Sequence, residues 1–187
     1  MFDATCERLR AATTAELSDA IDTFTTRRFV LPHTVRLIAG ARLFGPAVTI
    51  MTAPTAERAP HKRGDDAIRA AAPGSVIIGN VEDELDAALW GAEAFALGRD
   101  AGVAGFVTDG AVRQLGAAGK DLAVFAAGRS TVSGYSRIKI MAANVRITCG
   151  DVDVSPGDLI AGDADGVVVI PTKIAGQIAA ALGPAEN

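Results

Sequence analysis

Gly102-Val103-Ala104-Gly105-Phe106-Val107-Thr108-Asp109-Gly110-Ala111-Val112-Arg113-Gln114 decides how this chain is read. Val103 to Val107 is a brief apolar run with glycine spacing, the pattern of a strand covered on both faces. Asp109-Gly110 is a turn dipeptide, because glycine reaches positive φ without a Cβ clash. From Ala111 to Leu115 the apolar spacing resumes in a form compatible with a helical turn. Strand, turn and helix start would hold Arg113 just beyond a strand end, beside free backbone N–H groups. A guanidinium fork and a helix N-terminus both favour negative charge, so the arrangement suits a small anion. The same spacing also suits an ordinary strand-to-helix connection whose arginine pairs with a surface carboxylate. Spacing alone leaves both open.

Composition narrows the class. A chain of 187 residues suits one domain, spanning residues 1–187, with enough length to bury a real core. Hydrophobic residues make up 49% but aromatic residues only 5%, so the core must be built from Ala, Val, Ile and Leu. The net charge is −4, and the longest basic cluster, His61-Lys62-Arg63, is too short for a phosphate-binding stripe. No direct nucleic-acid partner is expected. The two cysteines, Cys6 and Cys149, lie far apart without a CxxC, which argues against a disulfide scaffold or a thiolate zinc site. The first residues lack a basic segment followed by an apolar run, and no stretch approaches the ~20 apolar residues that cross a membrane. A cytoplasmic protein with no membrane partner is the expectation.

Residues Ala4 to Thr23 read as helical, with Thr13-Thr14-Ala15-Glu16 able to restart the helix as a capping arrangement. Arg27 to Gly40 reads as loop with a short extended piece, and Ala41 to Met51 as a strand bent at Gly45-Pro46. Thr52 to Arg63 reads as an exposed loop, Asp65 to Ala72 as a short helix and Ser75 to Gly79 as a buried strand. Val81 to Gly98 gives the clearest helical pattern, through Leu85, Ala88, Leu89, Ala92, Phe95 and Ala96. Leu122 to Phe125 is another short strand, and Gly128 to Ile140 a loop in which Arg129, Arg137 and Lys139 are either surface charges or a positive field beside the arginine. Val145 to Cys149 and Val152 to Val154 alternate about Gly150-Asp151 as a hairpin. Leu159 to Asp163 and Val167 to Ile170 are strands joined by an Ala164-Asp165-Gly166 turn, and Lys173 to Leu182 closes the chain as a helix. Early helices with parallel-type strands and late hairpins predict a mixed α/β domain with layered sheets.

Several segments together carry a family resemblance. They are Leu43-Phe44-Gly45-Pro46-Ala47-Val48-Thr49, Pro73-Gly74-Ser75-Val76, Ala88-Leu89-Trp90-Gly91, Gly102 through Arg113, and Pro156-Gly157-Asp158-Leu159-Ile160-Ala161-Gly162-Asp163-Ala164-Asp165-Gly166-Val167-Val168-Val169-Ile170-Pro171. The chain resembles the RraA-like family, which contains the regulator of RNase E activity and the class II 4-hydroxy-4-methyl-2-oxoglutarate aldolases, which also decarboxylate oxaloacetate. Older usage calls such sequences demethylmenaquinone methyltransferases. The resemblance implies a swivelling β/β/α fold assembled as a homotrimer or a dimer of trimers, with sites at subunit interfaces. It implies that Arg113 binds the carboxylate and enolate oxygen of pyruvate, assisted by backbone N–H groups of Gly91, Ala92, Glu93 and Ala94. Gly64-Asp65-Asp66 stands where the aldolases carry Gly-Asp-Asn, which puts Asp66 among the substrate-binding residues.

The resemblance also implies a divalent cofactor, Mg²⁺ or Mn²⁺, held by an Asp directly after the arginine. A further acidic residue twenty-one positions before the arginine holds metal-bound water. Here those places carry Gln114 and Ala92, with Glu93 adjacent. A third acid, given by a neighbouring subunit before the Asn144-Val145 strand, meets Met141-Ala142-Ala143 instead. Gln114 offers a hard cation only a neutral carbonyl. Glu82, Asp83, Glu84 and Asp86 could supply a displaced ligand or simply form a solvated helix start. His33 and His61 sit in different loops with no partner, and Asp163 and Asp165 flank a turn.

Three functions remain open. The first is a lyase acting on a small 2-oxo acid, by aldol cleavage or oxaloacetate decarboxylation, with Arg113, Gln114 and Glu93 as catalytic candidates. The second is a non-catalytic regulator that inhibits an RNase E-like endoribonuclease by protein–protein binding. The third is a repurposed enzyme using the arginine pocket without metal, its acid–base work falling to Glu93 or Asp66.

Overall fold

The structure is a computed structural model that describes residues 2–58, 62–81 and 86–182. The N-terminal helical pattern resolves into two helices, α1 (Phe2–Ala11) and α2 (Thr14–Asp22). The restart at Thr13 is a full capping box, in which Thr13 and Glu16 satisfy each other's backbone N–H. After β1 (Arg36–Ala39) comes β2 (Leu43–Pro54), which continues as one strand through Gly45-Pro46 and beyond Met51. Gly45 is required there: a Cβ would stand 1.9 Å from the Gly74 carbonyl oxygen. The helix α3 (Lys62–Arg69) and the buried strand β3 (Val76–Gly79) come next.

Two expectations are corrected at the centre of the chain. The helical pattern expected over Val81–Gly98 divides into a short strand, β4 (Ala88–Trp90), and a helix, α4 (Ala92–Ala101), while Leu85 lies outside the described residues. The apolar residues of β4 pair alongside the next strand, so a strand and a helix in series share one apolar spacing. That next strand, β5 (Gly105–Val112), does not turn at Asp109-Gly110. Its pairing with β6 (Ala123–Arg129) slips between Thr108 and Ala111, so the dipeptide forms a bulge within a continuous strand. Asp109 is buried, and its carboxylate accepts the backbone N–H groups of Val81 (2.8 Å) and Gly150 (2.9 Å). Beyond Arg113-Gln114 the chain makes a four-residue 3₁₀ turn, Leu115–Ala118, and not an α-helix.

The stretch expected as loop before Ile140 holds a further strand. β7 (Ile138–Ala143) pairs antiparallel with the far half of β2. The hairpin β8 (Ile147–Cys149) and β9 (Val152–Val154) forms as read, as do β10 (Leu159–Asp163), β11 (Gly166–Ile170) and the closing helix α5 (Ala175–Ala181). The main sheet runs β1-β6-β5-β3-β2-β10-β11, with β4 added to β5 and β7 to β2. Its β6-β5-β3-β2 centre is parallel and its margins antiparallel. The architecture is a mixed α/β fold with layered, mixed sheets.

Alternate residues of the central strands serve different cores, which is why these strands read as unbroken apolar runs. Ile77 and Phe106 face a core shared with α3, α4 and β7, while Val76, Ile78 and Val107 face one closed by the β8–β9 hairpin. A third core joins α1, α2 and α5 to β10 and β11. Asp163 belongs to that third region. It accepts the Thr14 N–H (2.8 Å) and hydroxyl (2.6 Å) and the Asp165 N–H (3.1 Å), which is cap and turn chemistry.

Candidate functional site

The site is built where β4 ends, α4 begins and β5 ends. Trp90 is buried and packs edge-on against Phe106 at 5.1 Å between ring centroids, and Phe95 packs on the same ring at 5.4 Å. These three rings fix the start of α4 over β5. Gly98 and Gly79 make room for them, since a Cβ on either would press into the Phe106 or Trp90 ring. The Arg113 N–H donates to the Trp90 carbonyl (3.0 Å), tying the corner after β5 to the corner after β4.

Gly91 is the N-cap of α4, in an extended conformation, and has no side chain with which to cap. A Cβ there would stand 3.0 Å from Gln114 Oε1 and 3.1 Å from Arg113 Cγ. Glycine lets the Arg113 and Gln114 side chains lie this close across the helix start; a Cβ would push them back by a few tenths of an ångström. Gln114 itself sits in the left-handed region, φ 53° and ψ 42°, a conformation that costs a non-glycine residue on the order of 1 kcal/mol. Its Oε1 accepts the Ala92 N–H at 3.3 Å. The open end of α4 is therefore capped from a distant part of the chain.

A cleft of about 840 Å³ opens at this corner. Gly91, Ala92, Glu93, Ala94, Arg113 and Gln114 all line it, as does Asp65. Asp66 is not among the lining residues; it is exposed and pairs with Arg69 at 3.6 Å. Arg113 is half-buried, and among the described residues its guanidinium has no carboxylate partner within ion-pair distance. The far wall carries Arg58, Lys62, Ser133, Tyr135, Ser136 and Arg137. Of these, Arg137 stood out in the sequence as a charge that could face the arginine, and Lys62 only as part of a short basic cluster. Arg129 borders a smaller depression of about 390 Å³ on the other side of Arg113 and Gln114, and Lys139 lines neither. The far wall depends on β7 pairing with β2, a long-range contact with no local pattern to announce it.

The chain matches the RraA-like family model, described as Aldolase/RraA, over residues 14–169. This chain belongs to the RraA-like family. A Halalkalibacterium halodurans protein named "Putative 4-hydroxy-4-methyl-2-oxoglutarate aldolase" is 36% identical over 166 residues, covering 88% of this chain and 75% of that one. Among solved structures, an uncharacterized protein from Pseudomonas syringae superposes with a TM-score of 0.85 at 25% identity, over 96% of this chain and 84% of that one. Streptomyces coelicolor RraAS2, a member of the RNase ES inhibitor RraA protein family, superposes with a TM-score of 0.85 at 23% identity, over 95% of this chain and 89% of that one. The RraA-like fold is thus shared along nearly the whole chain.

The divalent ion implied by the aldolase relatives can be tested against this corner. Gln114 presents a neutral amide oxygen already engaged by Ala92 N–H, and Ala92 has no ligating side chain. Among the described residues, no three His, Cys, Asp or Glu side chains come together as a metal cage. Glu82, Asp83 and Glu84 lie outside the described residues. Mg²⁺ and Mn²⁺ are hard ions that take charged oxygen ligands, so the residues described at Gln114 do not fit the group.

Proposed function

We propose that the cleft binds a small 2-oxo acid anion and serves lyase chemistry, either aldol cleavage or oxaloacetate decarboxylation. The supporting observation is Arg113, a half-buried guanidinium without a carboxylate partner among the described residues, set beside the first N–H groups of α4. Its fork matches a carboxylate with an adjacent oxo group. In aldol cleavage a carboxylate takes the proton of the hydroxyl as that fragment leaves as a carbonyl compound, and in decarboxylation the fragment leaves as CO₂; in both, the electron pair of the broken carbon–carbon bond passes to the oxo oxygen as an enolate. Arg113 holds the enolate oxygen, as its negative charge develops, more tightly than the neutral oxo oxygen, which lowers the barrier. Glu93, exposed at the cleft, is the nearest candidate in sequence for returning a proton to the enolate carbon, and Asp65 on the facing helix is the second. The assay is pyruvate release from oxaloacetate, with and without Mn²⁺. Release above that of the free metal, lost in Arg113→Ala, supports the reading; release no faster than the metal alone contradicts it.

A second reading is favoured by one residue. Gln114 removes the charged ligand that aldol chemistry uses in the family, which suits a non-catalytic regulator binding an RNase E-like endoribonuclease. A pull-down that enriches an endoribonuclease from cell extract supports it. In either case assembly as a trimer or dimer of trimers is part of the proposal, supported by the exposed Tyr135, which lines the cleft, and the exposed Val132 three residues before it in sequence. Light scattering measures it. A cytoplasmic location belongs to the same reading, supported by the free state of both cysteines.

A further inference from the structure

We infer that this cleft takes its anion without a divalent ion, and that Gln114 is the residue that decides it. The inference rests on the proposed reading of the cleft as a site for a small 2-oxo acid anion. The first support is the placement of Gln114. Its Oε1 faces the Ala92 N–H across Gly91, so a cation approaching that oxygen meets the positive end of a backbone dipole. The second is the balance of charge on the walls. Among the described residues, Arg58, Lys62, Arg113 and Arg137 stand against Asp65 and Glu93, four basic side chains against two acidic ones. In a partly enclosed cleft that surplus repels a dication and draws in a free dianion.

The two supports are independent, since one concerns a single oxygen and the other the charges of the described lining residues. Together they set the class of ligand. The cleft selects a dianion presented bare, and not its metal chelate, whose charge is already neutralised. The role that a bound ion would play in steadying the corner passes to the Gln114 amide, which needs no charge to hold the N–H of Ala92. An aspartate at position 114 tolerates the left-handed backbone. It would bring a full negative charge to the same spot and so admit a cation beside the bound anion.

The test uses the full chain and oxalate, a stable dianion with the geometry of a 2-oxo acid enolate. Calorimetric titrations are run in EDTA and in excess free Mg²⁺, on the natural chain and on Gln114→Asp. The expected result for the natural chain is the same affinity in both buffers, within about twofold, when each is referred to the free oxalate left after Mg²⁺ chelation in solution. In Gln114→Asp, Mg²⁺ should tighten oxalate by about tenfold or more. Manganese electron paramagnetic resonance gives a readout free of any anion: the natural chain should leave the spectrum of free Mn²⁺ unchanged. Oxalate binding that vanishes in EDTA, or a stoichiometric loss of the free Mn²⁺ signal, overturns the inference while leaving the anion site standing. Metal-independent binding in Gln114→Asp as well overturns the role assigned to Gln114. No oxalate binding in any buffer overturns the inference and the anion site together.

Discussion

Two helices of this protein begin in opposite ways. The start of α2 is closed first by its neighbours in sequence, where Thr13 and Glu16 cap one another, and then by Asp163 at the end of β10, which takes the Thr14 N–H and hydroxyl. The start of α4 has a glycine at its cap and no local side chain to close it. Its closure comes from Gln114, twenty-two residues beyond Ala92, through one long hydrogen bond at 3.3 Å. One end has a local capping box as well as a distant carboxylate, and no glycine at its cap. The other is left open to a cleft and supplied with a guanidinium. A helix start with glycine at its cap gives up local stability and gains access for a ligand.

The sharpest way to break this comparison is Arg113→Ala. It should lower affinity for a 2-oxo acid anion by about a hundredfold, near 3 kcal/mol, the scale of a charge-assisted bidentate contact. The melting temperature should barely move, because Arg113 anchors the corner through its backbone. Calorimetry and a thermal melt read the two effects separately; equal anion affinity in the variant contradicts the contrast between the two helix starts.

Gly91→Ala should come next. Its new methyl must displace the Gln114 amide and the Arg113 stem, and anion affinity should fall by about tenfold, with about 1 kcal/mol lost in stability. A neutral outcome in binding would mean that the corner need not lie over the helix start. At α2 the pattern should invert. Thr13→Ala should cost about 1 kcal/mol by chemical denaturation and leave anion binding untouched.

The smallest effect is one of pH. The Thr13 backbone N–H and then its hydroxyl hold the Glu16 carboxyl below the usual glutamate range. A depressed folded-state pKa contributes stability above the unfolded value, and that contribution is lost as pH falls through the lower one. Acid denaturation of Glu16→Gln should therefore lack a small part of the natural chain's loss of stability on the acid side. Identical acid limbs would show that the capping box contributes nothing.

The same contrast explains what could be read from the sequence. The α2 cap, the β8–β9 hairpin and the β10–β11 turn obey local rules, and each was legible. Asp109-Gly110 was not, because a turn dipeptide and a bulge share one local signature. Pairing with β6 and the two N–H groups gathered by the Asp109 carboxylate decide between them. The helical pattern over 81–98 failed for a related reason: Ala88-Leu89-Trp90 is apolar at helical spacing, but β5 offers it a strand to pair with. At the site, Arg113, Gly91 and Glu93 were legible through the family resemblance, and the structure gathers all three at one cleft. Asp65 lines that cleft where Asp66 was expected, a difference of one position on α3 that turns a side chain to another face. Arg58 and Lys62 reach the site through long-range contacts, the β2–β7 pairing and the packing of α3 on α4 and β7, which bring residues far apart in the sequence to one wall.

Arg113, ready at the open start of α4 to receive a carboxylate, is the centre of this account. A crystal structure of the full chain grown with oxalate tests it most directly. The predicted result is a carboxylate of the anion within hydrogen-bond distance of the Arg113 guanidinium, over the first residues of α4. An Arg113 turned away into a surface ion pair, with the anion held elsewhere or absent, would contradict it.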